Sequence, residues 1–146
     1  METSLYVADV GRAVAFYRDV LGLKLIGEFV GERGAAMTVG QSILLLFNAA
    51  ETLKGGDLPA HGASGTGHVA FRVEAEDLDK WRSHLPLCGI PIEREYRFGE
   101  NPPSIYFRDP DGNVLELAVA SIWPPLVDKH SPQRRKERRD SAKGGA

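Results

Sequence analysis

An α+β chain of two β-α-β-β-β modules, whose sheets curve round an open, barrel-like cleft of mixed strands, follows from three observations. Apolar residues switch between a two-residue and a 3.6-residue period, which separates strands from helices. The same element order returns in the second half of the chain, and a Gly-, Pro- and Ala-rich stretch, Lys54–Gly67, lies between the copies.

Residues Glu2–Val7 alternate, with Thr3, Leu5 and Val7 on one side and Glu2, Ser4 and Tyr6 on the other, as in a half-buried strand. Asp9 offers an N-cap, Val10, Ala13, Val14, Phe16, Tyr17, Val20 and Leu21 recur at helical spacing, and Gly22 stops a helix expected over about 10–22. Strands follow over Lys24–Phe29, Gly34–Val39 and Ser42–Asn48, separated by glycine-containing breaks. After the linker, His68–Val73 reads as a strand and Leu78, Trp81 and Leu85 mark a helix over about 76–87 that Gly89 ends. Ile90–Tyr96, Ser104–Arg108 and Asn113–Ala120 complete the second set, with Asp109-Pro110-Asp111-Gly112 as a turn. Glu2 falls on His68 at an offset of 66 and Leu44 on Glu116 at an offset of 72. The expected organisation is a single domain over 1–120, with module one at 1–53, the linker at 54–67 and module two at 68–120, then a basic extension over 121–146. Each module is expected to bury its helix-covered face separately.

The chain has 146 residues, 42% hydrophobic and 26% charged, which is ordinary globular composition. One cysteine, Cys88, excludes an internal disulfide and a cysteine-based zinc site. No secretory pattern and no membrane-length apolar run is present, so a cytoplasmic protein is expected. Residues 121–146 hold seven of the 18 Lys and Arg but three of the 20 Asp and Glu, leaving the rest acidic. The mixed-sign run Arg134–Arg139 reads as a solvated extension, so no nucleic acid and no membrane partner is expected.

The stretch Glu2–Leu23 resembles the glyoxalase I signature at nearly every constrained position except the first, where Glu2 replaces His or Gln. Gly67-His68-Val69-Ala70-Phe71 resembles the opening of a second such module, and Tyr106–Glu116 its closing hairpin. Together these motifs, over residues 2–117, resemble the vicinal oxygen chelate superfamily of glyoxalases, bleomycin-resistance proteins and dioxygenases. The resemblance implies metal ligands at the first and last strand of each module, which fall on Glu2, Leu44, His68 and Glu116. Leucine cannot ligate, so Glu2, His68 and Glu116 are the expected ligands of one divalent ion, Zn, Mn, Fe or Ni. Parity supports this: Glu2 shares a face with Ser4 and Tyr6, His68 with Ala70 and Arg72, and Glu116 with Val114 and Ala118, in each case opposite the more apolar side. Inward carboxylates demand a cation, arginine partners or water.

Glu116 or Glu2 is then the expected general base, and Tyr106, Arg108, Arg72 and Leu44 the expected substrate-binding residues. Arg108 could instead bridge to Asp109, Asp111 or Glu2. His61 reads as a solvent-exposed linker residue, His84 as a helix-surface residue and His130 as part of the tail. The function implied is a divalent-metal-dependent enzyme acting on a small oxygenated substrate by lyase, isomerase or thiol-transfer chemistry, as a homodimer. A dioxygenase is one alternative, although Arg97, Phe98 and Gly99 fill the window where ring cleavage needs a His. A metal-free binding protein of the resistance type is the other. Thiol transfer to fosfomycin is disfavoured, because Leu117–Trp123 lacks basic residues for a phosphonate.

Overall fold

In the first module, β1 (Glu2–Tyr6), α1 (Val10–Asp19), β2 (Lys24–Phe29), β3 (Gly34–Val39) and β4 (Ser42–Phe47) follow one another in the computed structural model, which describes residues 1–124. After a one-turn helix, α2 (Ala49–Thr52), the second module repeats the order with β5 (His68–Arg72), α3 (Leu78–Leu87), β6 (Arg94–Tyr96), β7 (Ser104–Arg108) and β8 (Val114–Ala118). Arg134–Arg139 and His130 lie outside the described residues. Among the described residues no helix is long and apolar enough to cross a membrane.

Local chemistry sets the boundaries. The Asp9 carboxylate accepts the Arg12 backbone N–H at 2.8 Å and starts α1. Gly22, at φ 70°, lets the chain turn back after it. The second helix begins later than expected because Ala75–Asp77 forms a 3-10 turn ahead of it. The strand expected over Ile90–Tyr96 shrinks to Arg94–Tyr96, since Pro91 cannot donate to a ladder and Ile90 and Ile92 pack on the core instead.

Each module forms one four-stranded mixed sheet, in the orders β1-β4-β3-β2 and β5-β8-β7-β6. Within each, the first strand runs parallel to the last and the other pairs are antiparallel. Neither sheet closes into a barrel. One face of each sheet carries the helices. Those faces do not form separate cores, as expected from the sequence, but one: Val14 and Tyr17 of α1, Leu78 and Leu85 of α3, and Leu5, Met37, Leu44, Phe107 and Leu115 of the strands belong to a single buried cluster. His84, expected on a helix surface, is half-buried and its Nε2 lies 2.8 Å from the carbonyl oxygen of Val20, tying α3 to the end of α1.

Polar contacts fasten the modules at the other end. The Tyr17 hydroxyl donates to Asp109 Oδ2 at 2.8 Å, the Ala8 N–H to Asp111 Oδ1 at 2.8 Å, and Asn113 Nδ2 to the Tyr6 carbonyl at 3.2 Å. The Asp-Pro-Asp-Gly-Asn turn of the second module therefore docks on the β1–α1 corner of the first. Burial, and then the adjacent Asp109 carboxylate, push the Tyr17 phenol far above the ordinary tyrosine range.

Candidate functional site

On the helix-free face of the second sheet, strand register arranges side chains in rows. One row is Arg108, Val114 and His68, from His68↔Val114 and Arg108↔Val114. The next is Arg94, Tyr106, Glu116 and Ala70. His68 and Glu116 are thus diagonal neighbours on adjacent parallel strands, and His68 Nε2 lies 3.4 Å from Glu116 Oε2. The His68 ring stacks near Tyr106, with centroids 6.4 Å apart.

Glu116 is only 5% exposed, and its Oε1 is buried with no hydrogen-bond partner. His68 Nδ1 sits 3.2 Å from the Val114 carbonyl, an arrangement that fixes the ring with Nε2 directed at the carboxylate. An imidazole nitrogen and an unsatisfied carboxylate oxygen side by side are borderline-hard donors of the kind Zn, Mn, Fe and Ni accept. The donor pair fits a divalent ion.

Glu2 does not join this pair within one chain. It is exposed at the first position of β1, on the face of Ser4 and Tyr6, and among the described residues no three His, Cys, Asp or Glu side chains gather closely enough to hold an ion. Leu44 sits elsewhere than expected. Pairing of Ser4 with Leu45, and of Ala70 with Glu116, makes Leu45 the counterpart of Glu116, while Leu44 is 0% exposed on the helix side of its sheet. Leu44 is a core residue, not a pocket wall.

Tyr106 faces Glu116 across β7 and β8. Burial and, second, that carboxylate push its phenol up to about 12, so it remains a proton donor at neutral pH. Arg108 is committed elsewhere, to a bidentate pair with Glu93 at 2.6 and 2.9 Å and a 2.9 Å bond to the Gly112 carbonyl. Glu93 is none of the three partners considered from sequence. Arg72 pairs with Glu74 at 3.1 Å on the exposed edge strand.

Two features escaped the sequence reading. Ser104, two residues before Tyr106 and so on its face, is buried with an unpartnered Oγ; the period-two rule alone would have found it. His61 is not a free linker residue: its Nδ1 lies 2.7 Å from the Tyr6 hydroxyl and its ring packs edge-on to Phe47 at 4.7 Å. No local signal announces that contact, which spans 55 residues.

The profile of the Glyoxalase/Bleomycin resistance protein/Dioxygenase superfamily matches residues 2–117. The chain is 32% identical over 125 residues to the glutathione transferase FosA of Serratia marcescens, covering 85% of this chain and 82% of that one. It is 30% identical over 121 residues to the metallothiol transferase FosB of Bacillus licheniformis, covering 82% and 74%. The crystal structure of lactoylglutathione lyase from Agrobacterium tumefaciens superposes with a TM-score of 0.79 at 35% identity, over 84% of this chain and 94% of that one. With the profile spanning both modules and the repeated β-α-β-β-β order in place, the chain belongs to the glyoxalase/bleomycin resistance protein/dioxygenase superfamily.

Proposed function

We propose that this protein is a divalent-metal-dependent enzyme of the thiol-transfer or lyase type, acting on a small oxygenated substrate. The observation that carries the proposal is Glu116: a carboxylate this buried, with one oxygen unpartnered, is costly until a cation or a donor reaches it. His68 and Glu116 supply two ligands, and Glu2, contributed by a second copy in a homodimer, supplies the third. In support, Glu2 stands exposed on the open face of its sheet while the two modules of one chain are held together through their helices. The names of the three relatives above all specify glutathione or another thiol, which supports a thiol or thiol adduct as one reactant.

When bound, the ion supplies Lewis-acid polarisation of a substrate carbonyl or epoxide oxygen. Tyr106, protonated at neutral pH, donates a hydrogen bond to the substrate and orients it. Glu2, which has no side-chain hydrogen bond or ion pair among the described residues, would serve as the general base when it is off the ion, taking a proton on its carboxylate oxygen. Glu116 is held against His68 and serves as ligand rather than base. Ring cleavage is not part of the proposal, since Arg97 of the critical window donates to the Asn101 carbonyl and no His lies there.

The test is calorimetric titration of Zn, Mn, Ni and Fe(II) into untagged protein and into His68→Ala, with light scattering on the same samples. Wild type should bind one ion per copy as a dimer, and the variant at least about tenfold more weakly. Absence of uptake from all four metals would leave the second reading, a metal-free binding protein. That reading is favoured by the failure of three ligands to gather in one chain and by Leu45 at the fourth position.

A further inference from the structure

We infer that the open face beside Glu116 ends in an apolar subsite, built from Ala70, Ala118, Ile122 and Trp123, which takes an uncharged aromatic ring carried by the oxygenated substrate. The inference rests on the proposed metal site only for where the substrate's oxygens lie.

Register places Ala70 directly opposite Glu116, and Ala118 directly opposite Arg72. Ala118 follows Glu116 on the same face of β8, about 7 Å further along the strand. Methyl side chains at both positions leave a depression beside the carboxylate, and it forms part of a pocket of about 720 Å3 that Ile122 and Trp123 also line. That volume suits a small molecule. The segment carrying Ile122 and Trp123 is fixed in place. The Ile122 N–H donates to the Val119 carbonyl at 3.3 Å, the Trp123 N–H to the Ala120 carbonyl at 3.2 Å, and the Ser121 hydroxyl to Asn101 Oδ1 at 2.6 Å. Ile122 packs on the core, yet Trp123 is left 71% exposed.

A single exposed tryptophan would signify little, and two alanines no more. Glu116 ties them to a ligand. It is 5% exposed, and its unpartnered Oε1 belongs to the same face, on the residue directly opposite Ala70. Buried polar atoms are ordinarily satisfied, so a molecule that answers this carboxylate, directly or through an ion, lies against the pocket. The pocket's chemistry then sets what that molecule carries. Residues 117–123 contain no charged side chain. Arg72, the one charged residue lining the pocket among the described residues, is paired with Glu74 at 3.1 Å. An anion placed here would give up its water for no free cation, with Glu116 and Glu74 close by. An aromatic ring gains apolar burial instead, and can pack edge-on or offset against the indole. The roughly 7 Å from Glu116 to Ala118 limits the link between ring and oxygen-bearing carbon to one or two bonds.

The probes are three vicinal diols that differ in one substituent: 1-phenyl-1,2-ethanediol, 1,2-propanediol and 3,4-dihydroxybutanoate. Each is titrated by calorimetry into the full chain as wild type, Trp123→Ala and Trp123→Phe, with and without Mn(II). The indole N–H signals are followed by nuclear magnetic resonance, the Trp123 signal being the one lost in Trp123→Ala. Wild type should bind the phenyl diol at least about tenfold more tightly than the methyl diol. Trp123→Ala should weaken the phenyl diol about fivefold and leave the methyl diol and the acid within about twofold, with partial recovery in Trp123→Phe. No preference for phenyl over methyl, or equal loss for all three diols, overturns the inference. So does a Trp123 signal that answers to protein concentration and not to the phenyl diol, which would give the pocket to a second copy. If no protein binds Mn(II), the metal reading fails, while the phenyl-against-methyl comparison at Trp123 in metal-free protein still decides the pocket.

Discussion

Replacing Glu116 by Gln should move stability in opposite directions with and without metal. In metal-free protein the carboxylate lies 3.4 Å from His68 Nε2 and beside the Tyr106 phenol, and its buried Oε1 has no hydrogen-bond partner. Leaving such a group unsatisfied costs on the order of 1–3 kcal/mol, and the isosteric amide removes the charge while keeping the volume. For a domain this size that is a rise in Tm of about 3–10 °C for Glu116→Gln in chelator. Metal at about 100 times its Kd adds about 2.7 kcal/mol to wild type by mass action, and the amide forfeits most of that gain. The order of the two melting curves should therefore cross on adding metal, measured by differential scanning calorimetry at pH 8. A Gln variant that melts below wild type in chelator would show the carboxylate to be compensated without an ion. Curves that never cross in Zn, Mn, Ni or Fe(II) would remove the metal from the argument.

Three further outcomes are expected. Tyr17→Phe should cost about 1–2 kcal/mol by deleting the bond to Asp109. Because the Tyr17 phenol is held far above its ordinary value, the stability it contributes is complete below about pH 10 and is lost as pH rises beyond it. Urea midpoints of wild type should thus fall steeply above that pH and those of Tyr17→Phe less so; parallel profiles would contradict the assignment. Leu44→Ala should cost about 2–5 kcal/mol by opening a core cavity, and Leu45→Ala less than half as much, in chemical denaturation. Arg108→Ala should change stability by less than about 1 kcal/mol and leave KM unaltered, since its ion pair with Glu93 is solvent-exposed; a raised KM would return Arg108 to the substrate.

The element order and the faces of β1, β5, β7 and β8 were legible because each strand contrasts an apolar side with a polar one, and that contrast fixes parity. In β4, Ser-Ile-Leu-Leu-Leu-Phe, the contrast vanishes. Nothing local separates Leu44 from Leu45, so an offset counted along the sequence slipped by one residue and turned the wrong leucine toward the cleft. Only pairing with β1 resolves it. The partner of Arg108 was hidden for a different reason. Glu93 is 15 residues away, and it comes within reach because the chain entering β6 runs back along β7, where the sequence predicts a strand already from Ile90.

Two carboxylates in this chain are equally buried, Asp109 and Glu116 at 5% exposure each, and they separate structure from function. Asp109 accepts four hydrogen bonds: from the Tyr17 hydroxyl, from Asn113 Nδ2, and from the backbone N–H groups of Asp111 and Asn113. All four partners come from the turn it begins or from the helix on which that turn docks, so its charge is balanced by the fold itself. Glu116 stands on a regular strand, where the backbone N–H groups serve the ladder and cannot turn toward a side chain. Its neighbours are the imidazole of His68, which is half in solvent, and the phenol of Tyr106 across β7. The fold that supplies every donor to one carboxylate leaves the other with a free lone pair on the open face, between an imidazole and a protonated phenol. On the proposed reading, a carboxylate placed this way is matched by something brought from outside the chain, a cation held at Oε1 or a donor hydrogen of the ligand itself.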